Sequence, residues 1–501
     1  MNASSRARHD TPLLPRERTT HRGLATAAVL FGTFVSAIEM TIVGTAMPRI
    51  AGALGGSDRF AWVISVYLLT NTVAAPLSGK LADLYGRKPV YIASMLLFLL
   101  GSALSGAAPT MNVLIVSRAI QGMGGGGVAT VALTLVGDLY TPVERGRIQG
   151  FFSAVWGSAG ALGPVAGGFI VDHMSWRWIF YLNLPFGGIA TLLLWFALHE
   201  KIERKDASLD VLGAVVLTAA VAVIQLAGGG HGVRGASHPA LLGVLGVALF
   251  CAFVIVESRA KAPILPTSLV RRRLIGTALL SSLLAGAVMF GVITYLPLYV
   301  QGVQGASARE AGIVMTPLSV AWPIVGVAAG FAISRIDPRL LVRSGMLLVA
   351  CGALLPCVVT ETSPRTVFIV SGLLVGAGMG LSSTPFLISL QTAVDWSQRG
   401  VVTAAFSFCR TMGGTLGVIL ASTIQTAQLE ASHVPSAMVD AALRPGAPLA
   451  PAVVRTALAS GLHAAFVATG VLGVLAAIAT FAFPKNNVMR TVPAPVVVAH
   501  E

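Results

Sequence analysis

The stretch FVSAIEMTIVGTAMPRI, residues 34–50, holds one carboxylate, Glu39, in a run that is otherwise apolar or small until Arg49. From Gly23 to Pro48 no other side chain ionises. Charges are costly in hydrocarbon, and those retained there mark ion and proton pathways. Burial disfavours the ionised form of a carboxylic acid. A carboxyl group at this depth can therefore hold a proton at physiological pH, and one that faces each side in turn can carry it across. The competing role is a permanently protonated acid that only ties helices together. Of the 20 Asp and Glu, Glu39 alone lies well inside an apolar run. Two of the 34 Lys and Arg do so, Arg118 and Arg410. A lone guanidinium at such depth needs a partner or a water-filled cavity.

The elements that must position these groups follow from composition. The chain has 501 residues, 55% hydrophobic and 11% charged. Soluble domains carry about 25% charged residues, so this chain cannot cover a water-facing surface and its solvent must be lipid. About 20 apolar residues span a bilayer as a helix, and fourteen such runs can be drawn, from 23–47 to 461–483. Barrel strands would be short and alternating. The fold class is thus an all-helical polytopic membrane protein. Glu39 lies about 22 Å along the first helix from Leu24, past the midplane.

The net charge of +14 does not indicate nucleic acid. With the N-terminus in the cytoplasm, most Lys and Arg fall in cytoplasmic segments, which is the positive-inside pattern. Both termini are expected there, in the cytoplasmic (inner) membrane. Residues 1–22 read as a polar disordered tail, and the first apolar run is too long for a cleaved signal. Cys251, Cys351, Cys357 and Cys409 sit in apolar runs without C-x-x-C spacing, so they read as small buried hydrophobes and not as a disulfide frame or metal site.

Residues 144–163, ERGRIQGFFSAVWGSAGALG, align without a gap to 398–417, QRGVVTAAFSFCRTMGGTLG. The pairs Arg145/Arg399, Gly146/Gly400, Phe152/Phe406, Ser153/Ser407 and Gly160/Gly414 are among the identities. A duplication eight helices apart implies two six-helix bundles, 23–202 and 261–484, separated by two inserted helices in 203–260. An outward loop, 428–460, has amphipathic parts, and 485–501 is a cytoplasmic tail. Parallel halves place a binding site at their interface near the midplane.

Four motifs are more specific. GKLADLYGRK at 79–88 joins the second and third runs. Gly79 and Gly86 suit close backbone approach, Asp83 can accept from a helix N-terminus, and Lys80, Arg87 and Lys88 can pair with it or with lipid phosphate. RAIQGMGGGG starts at Arg118 and includes Gln121. Its G-x-G-x-x-G lies in an apolar helix after no strand, which excludes a dinucleotide turn. GSAGALGPVAGG places Gly160, Gly163, Gly167 and Gly168 on one bare face, with Pro164 bending the helix. The fourth is EMTIVGTAMP at Glu39, and SWRWIFYLNLP at 175–185 follows the third.

Together these resemble the major facilitator superfamily, and within it the fourteen-helix drug:proton antiporter-2 family. The 79–88 loop resembles the superfamily's G-x-x-x-D-x-x-G-R-[KR] signature, which implies a latch between the cytoplasmic ends of the halves in the outward-facing state. GFAISRIDPR from Gly330 is its counterpart, with Ser334 in place of the acid, so the latch is expected to be one-sided. The Arg118 stretch resembles R-x-x-Q-G, whose arginine is associated with proton transfer. GSAGALGPVAGG resembles the exporters' G-x-x-x-G-P-x-x-G-G. EMTIVGTAMP resembles D-x-T-I-V-x-x-A-L-P, with Glu39 in place of Asp and Met47 in place of Leu.

The resemblance implies a monomeric, proton-driven exporter of amphipathic small molecules, with Glu39 and Arg118 in proton coupling and no cofactor or metal. Gln121 and Arg410 are candidate substrate contacts, although Arg410 could instead snorkel or cap a helix. No acid lies within a run of the second half, so a neutral, weakly cationic or anionic substrate fits better than a dication. The alternatives are a proton-coupled importer, a non-transporting sensor and an enzyme. Against an enzyme, the chain has no H-E-x-x-H or G-x-S-x-G, and GK at 79–80 lacks the rest of a phosphate loop.

Overall fold

The computed structural model describes residues 20–54, 60–200, 210–227, 239–260, 263, 267–306, 308–434, 438 and 451–484. The expected tails, apart from residues 20–22, lie outside this set, as do parts of the insert and most of the 428–460 loop. Fourteen helices of 15 residues or more are present among the described residues. They are α1 (Arg22–Leu54), α2 (Phe60–Tyr85), α3 (Arg87–Ala107), α4 (Met111–Leu139), α5 (Pro142–His173), α6 (Asn183–Ala197), α7 (Val211–Ala227), α8 (Pro239–Arg259), α9 (Arg273–Gly302), α10 (Ala308–Ala332), α11 (Pro338–Leu354), α12 (Thr366–Thr392), α13 (Arg399–Ala431) and α14 (Ala452–Phe481). Among the described residues, twelve are long and apolar enough to cross a membrane. The two that fall outside that set are α2, interrupted by Thr70-Asn71-Thr72, and the short α7.

Local chemistry sets several helix starts. Thr110 accepts from the Val113 amide at the start of α4. At α5 the Thr141 amide donates to Glu144 Oε2 at 2.9 Å, half of a capping box, and Pro142 fills the first turn. Asp337 accepts from Arg339 N at 2.9 Å before α11. Large apolar side chains face outward along the helices, among them Phe196, Val165 and Ile478. A soluble protein would not leave such a girdle exposed. Cys251 and Cys351 belong to it, so these two are exposed rather than buried.

Lipid is as apolar as leucine, so helix association here depends on close packing of small residues. α4 shows how. Along GMGGGG, Gly122 and Gly126 meet the α2 backbone at Tyr67 and Asn71, while Gly124 and Gly127 meet α3 at Phe98 and Ser94. The glycine run thus lets α4 sit wedged between two neighbours. Packing in the second half repeats that of the first. α1 lies on α5 as α9 lies on α13, α2 on α4 as α10 on α12, and α3 on α4 as α11 on α12. One apolar core draws on residues between Ala25 and Leu198, and the main second-half core on residues between Leu269 and Phe483. α7 and α8 pair with each other and α7 leans on α2.

Between the halves, α5 meets α10 and α2 meets α13. The Gly146 and Gly330 backbones touch, Gly150 packs on Val327, and Gly157 packs on Pro323. The other contact brings Gly79 against Gly400 and Ala404, then Val73 against Phe408 and Met412. Closure is therefore concentrated at the end that carries residues 79–88. A Cβ added at Gly160, one turn beyond Gly157, would meet nothing within 4 Å.

At Gly146 any side chain would collide with the Gly330 carbonyl. Gly146→Leu should prop this end open and leave the bundles folded. In a cysteine-free background, a cysteine placed at Ser153, which faces Gly326, should react with a maleimide several-fold faster when Gly146→Leu is present. Unchanged labelling would show that closure does not depend on this contact.

Candidate transport site

Glu39 and Arg118 come together. Arg118 Nη1 donates to Glu39 Oε1, and the side chains are 2% and 0% exposed. α4 supplies the arginine and α1 the acid. Two buried ions cost several kcal/mol each in desolvation, which their attraction offsets only when every remaining donor and acceptor is satisfied. The surroundings meet this demand. Asn183 Nδ2 on α6 donates to Glu39 Oε2 at 2.5 Å and to Ser102 Oγ at 2.9 Å. Gln121 Oε1 accepts from Arg118 Nη1 at 2.7 Å, while its Nε2 donates to Ser102 Oγ at 3.1 Å. The Ser102 hydroxyl on α3 donates a hydrogen bond to the Phe180 carbonyl at 2.8 Å. Arg118 Nε donates to Val63 O at 3.3 Å, and the guanidinium lies 4.2 Å from the Tyr67 ring centroid.

The pair is thus enclosed by α1, α2, α3, α4 and α6 of one bundle. In this conformation Glu39 points neither into lipid nor into an open cleft, so access to it from either side requires rearrangement. Next to it, the Tyr67 hydroxyl, Asn71 amide and Ser36 hydroxyl gather around Gly125, where a Cβ would come within 2.7 Å of the Tyr67 oxygen. That glycine keeps a small polar space beside the ion pair.

A second cluster links the halves. Gly86 has φ 95°, which lets α2 reverse into α3 in one residue. Arg87, only 1% exposed, donates to Asp83 Oδ1 at 2.7 Å, Asp138 Oδ2 at 2.8 Å, Ala82 O at 2.8 Å and Trp396 O at 2.9 Å. Asp83 accepts from the Gly400 and Val401 amides at 3.1 and 2.9 Å, the first turn of α13. In return Arg399 donates to Gly137 O at 2.9 Å and Asp138 Oδ1 at 3.4 Å, the last turn of α4. An anion lies on a helix N-terminus and a cation on a helix C-terminus, the favourable sense for both dipoles. Burial pushes the Asp83 carboxyl, beyond the apolar part of α2, up to about 7 against the pull of Arg87. Lys88 stays within its own half, donating to Trp195 O at 2.8 Å. On the other side, among the described residues, Ser334 bonds to Phe331 O within its own turn and makes no bridge between the halves.

Residues 29–418 match the family model described as Major Facilitator Superfamily. The chain belongs to the major facilitator superfamily. It is 36% identical over 415 residues to the multidrug transporter protein MdtP of Bacillus subtilis, covering 82% of this chain and 76% of that one. It is 34% identical to multidrug resistance protein 3 of the same organism, covering 79% and 78%. Its fold is similar to that of the proton:xylose symporter XylE, with a TM-score of 0.61 at 14% identity, over 93% of this chain and 96% of XylE.

In this member of the superfamily the Gly-Pro motif is split. Gly163 packs on Thr41 of α1, whose hydroxyl donates to Ala159 O at 3.0 Å, whereas Gly160 and Gly168 face open space. Gly167 is buried, and Pro164 lies within the unbroken helix α5. The halves meet nearer the start of α5, where Gly146, Gly150 and Gly157 face α10; Gly160 and Gly168 share that side by helical spacing but lie farther along, beyond the contact. Gln121 serves the ion pair rather than an open cavity. Arg410, on α13, stands 5.8 Å from the Trp322 ring and 6.0 Å from the Phe406 ring, away from the Glu39 cluster.

Sequence reasoning missed Asn183, Ser102, Asp138 and Gln391. Asn183 falls inside the quoted SWRWIFYLNLP and was its only amide, a signal that was available. Gln391 Nε2 donates to Thr403 Oγ1 at 3.0 Å and to Leu133 O at 3.3 Å, a further link from α12 to α4.

Asn183→Asp would put a second carboxyl against Glu39. The two can share one proton at low pH, and raising the pH forces like charges together. Relative to wild type, the variant should be about 2 kcal/mol less stable at pH ~8.5 than at pH ~5.5, by thermal unfolding of purified protein. A pH-independent difference would mean that Asn183 does not sit against an ionisable Glu39.

Proposed function

We propose that the protein is a proton-driven antiporter that exports amphipathic small molecules across the cytoplasmic membrane by alternating access. In this reading it crosses the membrane fourteen times, with both termini in the cytoplasm, as two six-helix bundles (23–202 and 261–484) around an inserted pair of helices. The observation that carries it is the enclosed Glu39–Arg118 pair with its Asn183, Gln121 and Ser102 shell. Relatives named as multidrug transporters support the class of cargo.

Protonation of Glu39 removes the charge that holds Arg118. The freed guanidinium must find another acceptor, and the helices that carry it, α4 and its neighbours, also carry the latch through Gly137 and Asp138. Proton uptake in the first bundle is in this way mechanically continuous with the contact between bundles. The closed end is then cytoplasmic, and the conformation described is outward-facing. One elementary charge moving through 100 mV supplies about 2.3 kcal/mol, enough for roughly fiftyfold accumulation of a neutral substrate at one-to-one coupling.

Glu39→Gln keeps the size of the acid and one of its two acceptor oxygens but cannot ionise. In proteoliposomes the variant should bind substrate and fold normally yet show no transport driven by a pH gradient. Undiminished gradient-driven export would remove Glu39 from the mechanism.

A further inference from the structure

Three of the arginines buried or half-buried among the helices, Arg87, Arg118 and Arg410, differ in how they are satisfied. Arg87 has four acceptors and an aromatic face; Arg118 has a carboxylate, an amide oxygen, a backbone carbonyl and an aromatic face. Arg410 has aromatic faces only, those of Trp322 and Phe406, and among the described residues its guanidinium donates no hydrogen bond. It lies about 17 Å into α13, and a guanidinium carries five N–H donors. Nor can the second bundle neutralise it from within. α9, α11, α12 and α14 contain no Asp or Glu, α10 has only Glu310 in its first turn, and α13 only Glu430 near its end.

The position explains what could fill the gap. α13 packs on α2 and α9, and α10 packs on α5 and α12, so they stand on opposite flanks of their bundle. Arg410 from one approaches Trp322 from the other, and therefore projects into the space between them. In the first bundle the corresponding repeat position is Trp156, so the cation belongs to one half alone. Glu39 is already balanced by Arg118, so among the described residues Arg410 has no acid to offset it and is flanked by aromatic rings.

We propose that Arg410, Trp322 and Phe406 form a subsite for a monoanionic aromatic amphipath, the carboxylate or sulfonate on the guanidinium and the ring system against the two aromatic side chains. A single cation without fixed partners suits a cargo that must also be released, since an arginine such as Arg87, with four of its five N–H groups engaged, has little left to offer. The assignment deepens the export reading and rests on it for its biological sense, but it is tested by binding alone.

The full chain in lipid nanodiscs is dialysed against pyrenebutanoate and against its uncharged amide, with binding to empty discs subtracted. Wild type should bind the carboxylate about tenfold more tightly than the amide, the usual worth of a charge-assisted hydrogen bond. Arg410→Gln should bring the carboxylate down to the affinity of the amide and leave the amide unchanged. Arg410→Lys should keep part of the preference, and it serves together with wild type if the Gln variant does not elute as a single folded species. Equal affinities in wild type, or a loss in Arg410→Gln that is the same for both probes, would overturn the subsite. If the preference depends on Arg410 while Glu39→Gln still pumps on a pH gradient, the subsite stands and the proton scheme falls.

Discussion

A charge inside a helical bundle cannot be left to water, and the arrangement around Glu39 follows from that constraint. One carboxylate at this depth requires a cation, the cation requires further acceptors, and each acceptor must itself be oriented. Ser102 illustrates the chain of obligation: it accepts from both Asn183 and Gln121 and donates to Phe180 O, so one hydroxyl fixes two amides that in turn fix the two ions. A network of this kind is stable only when complete, because a buried ion deprived of its partner is strongly destabilising. Removing the charge on Glu39 by protonation is a gentler version of the same loss. It leaves Arg118 over-supplied with donors, and the tight glycine packing of α4 transmits any displacement to α2 and α3.

The contact between the bundles obeys the same electrostatics in a different way. It uses helix termini as partial charges, with Asp83 on the start of α13 and Arg399 on the end of α4. Each interaction is modest, about 0.3–2 kcal/mol where partly buried, so the latch can be released without a large barrier. Arg87 and Asp138 stiffen it from behind within the first bundle. The glycine contacts at Gly146 and Gly79 add no charge but set the distance, because only backbone can approach backbone this closely. Weak dipolar contacts on a surface of bare backbone are what the proposed rocking of one bundle against the other requires.

Much of this was legible in the residues. Long apolar runs and the scarcity of charge pointed to the helices and the lipid solvent. Glu39 and Arg118 stood out because an ionisable side chain in hydrocarbon has few bland explanations, and the 79–88 loop because its glycines and charges are spaced for a turn and a helix cap. What was hidden depends on rotation about a helix axis. Spacing alone does not say that Gly163 turns to α1 while Gly146 and Gly157 turn to α10. The enclosure of Glu39 was hidden for the same reason, since it needs α3 and α6 to bring Ser102 and Asn183 to the same point. Neutral amides such as Asn183 and Gln391 carry weak sequence signals, yet they are what a buried ion or a half-to-half contact needs most.

The two bundles share their packing but not their charges, and this asymmetry bears on how a duplicated scaffold divides its work. In the first half the deep cation is hydrogen-bonded and paired with a deep acid; in the second half the acid is missing and the cation stands among rings. Ser334 likewise leaves the second loop without the carboxylate that Asp83 supplies to the first. A symmetric device with a proton site in each half would need two coordinated discharges for one stroke. The Glu39–Arg118 pair and the latch carboxylates Asp83 and Asp138 all belong to the first bundle, so in the proposed antiport scheme protonation acts from one side of the interface and leaves the interior of the second bundle to the cargo. Substitutions at Arg410 or Trp322 would then leave the Glu39–Arg118 pair and its shell untouched, because the two groups share no contact.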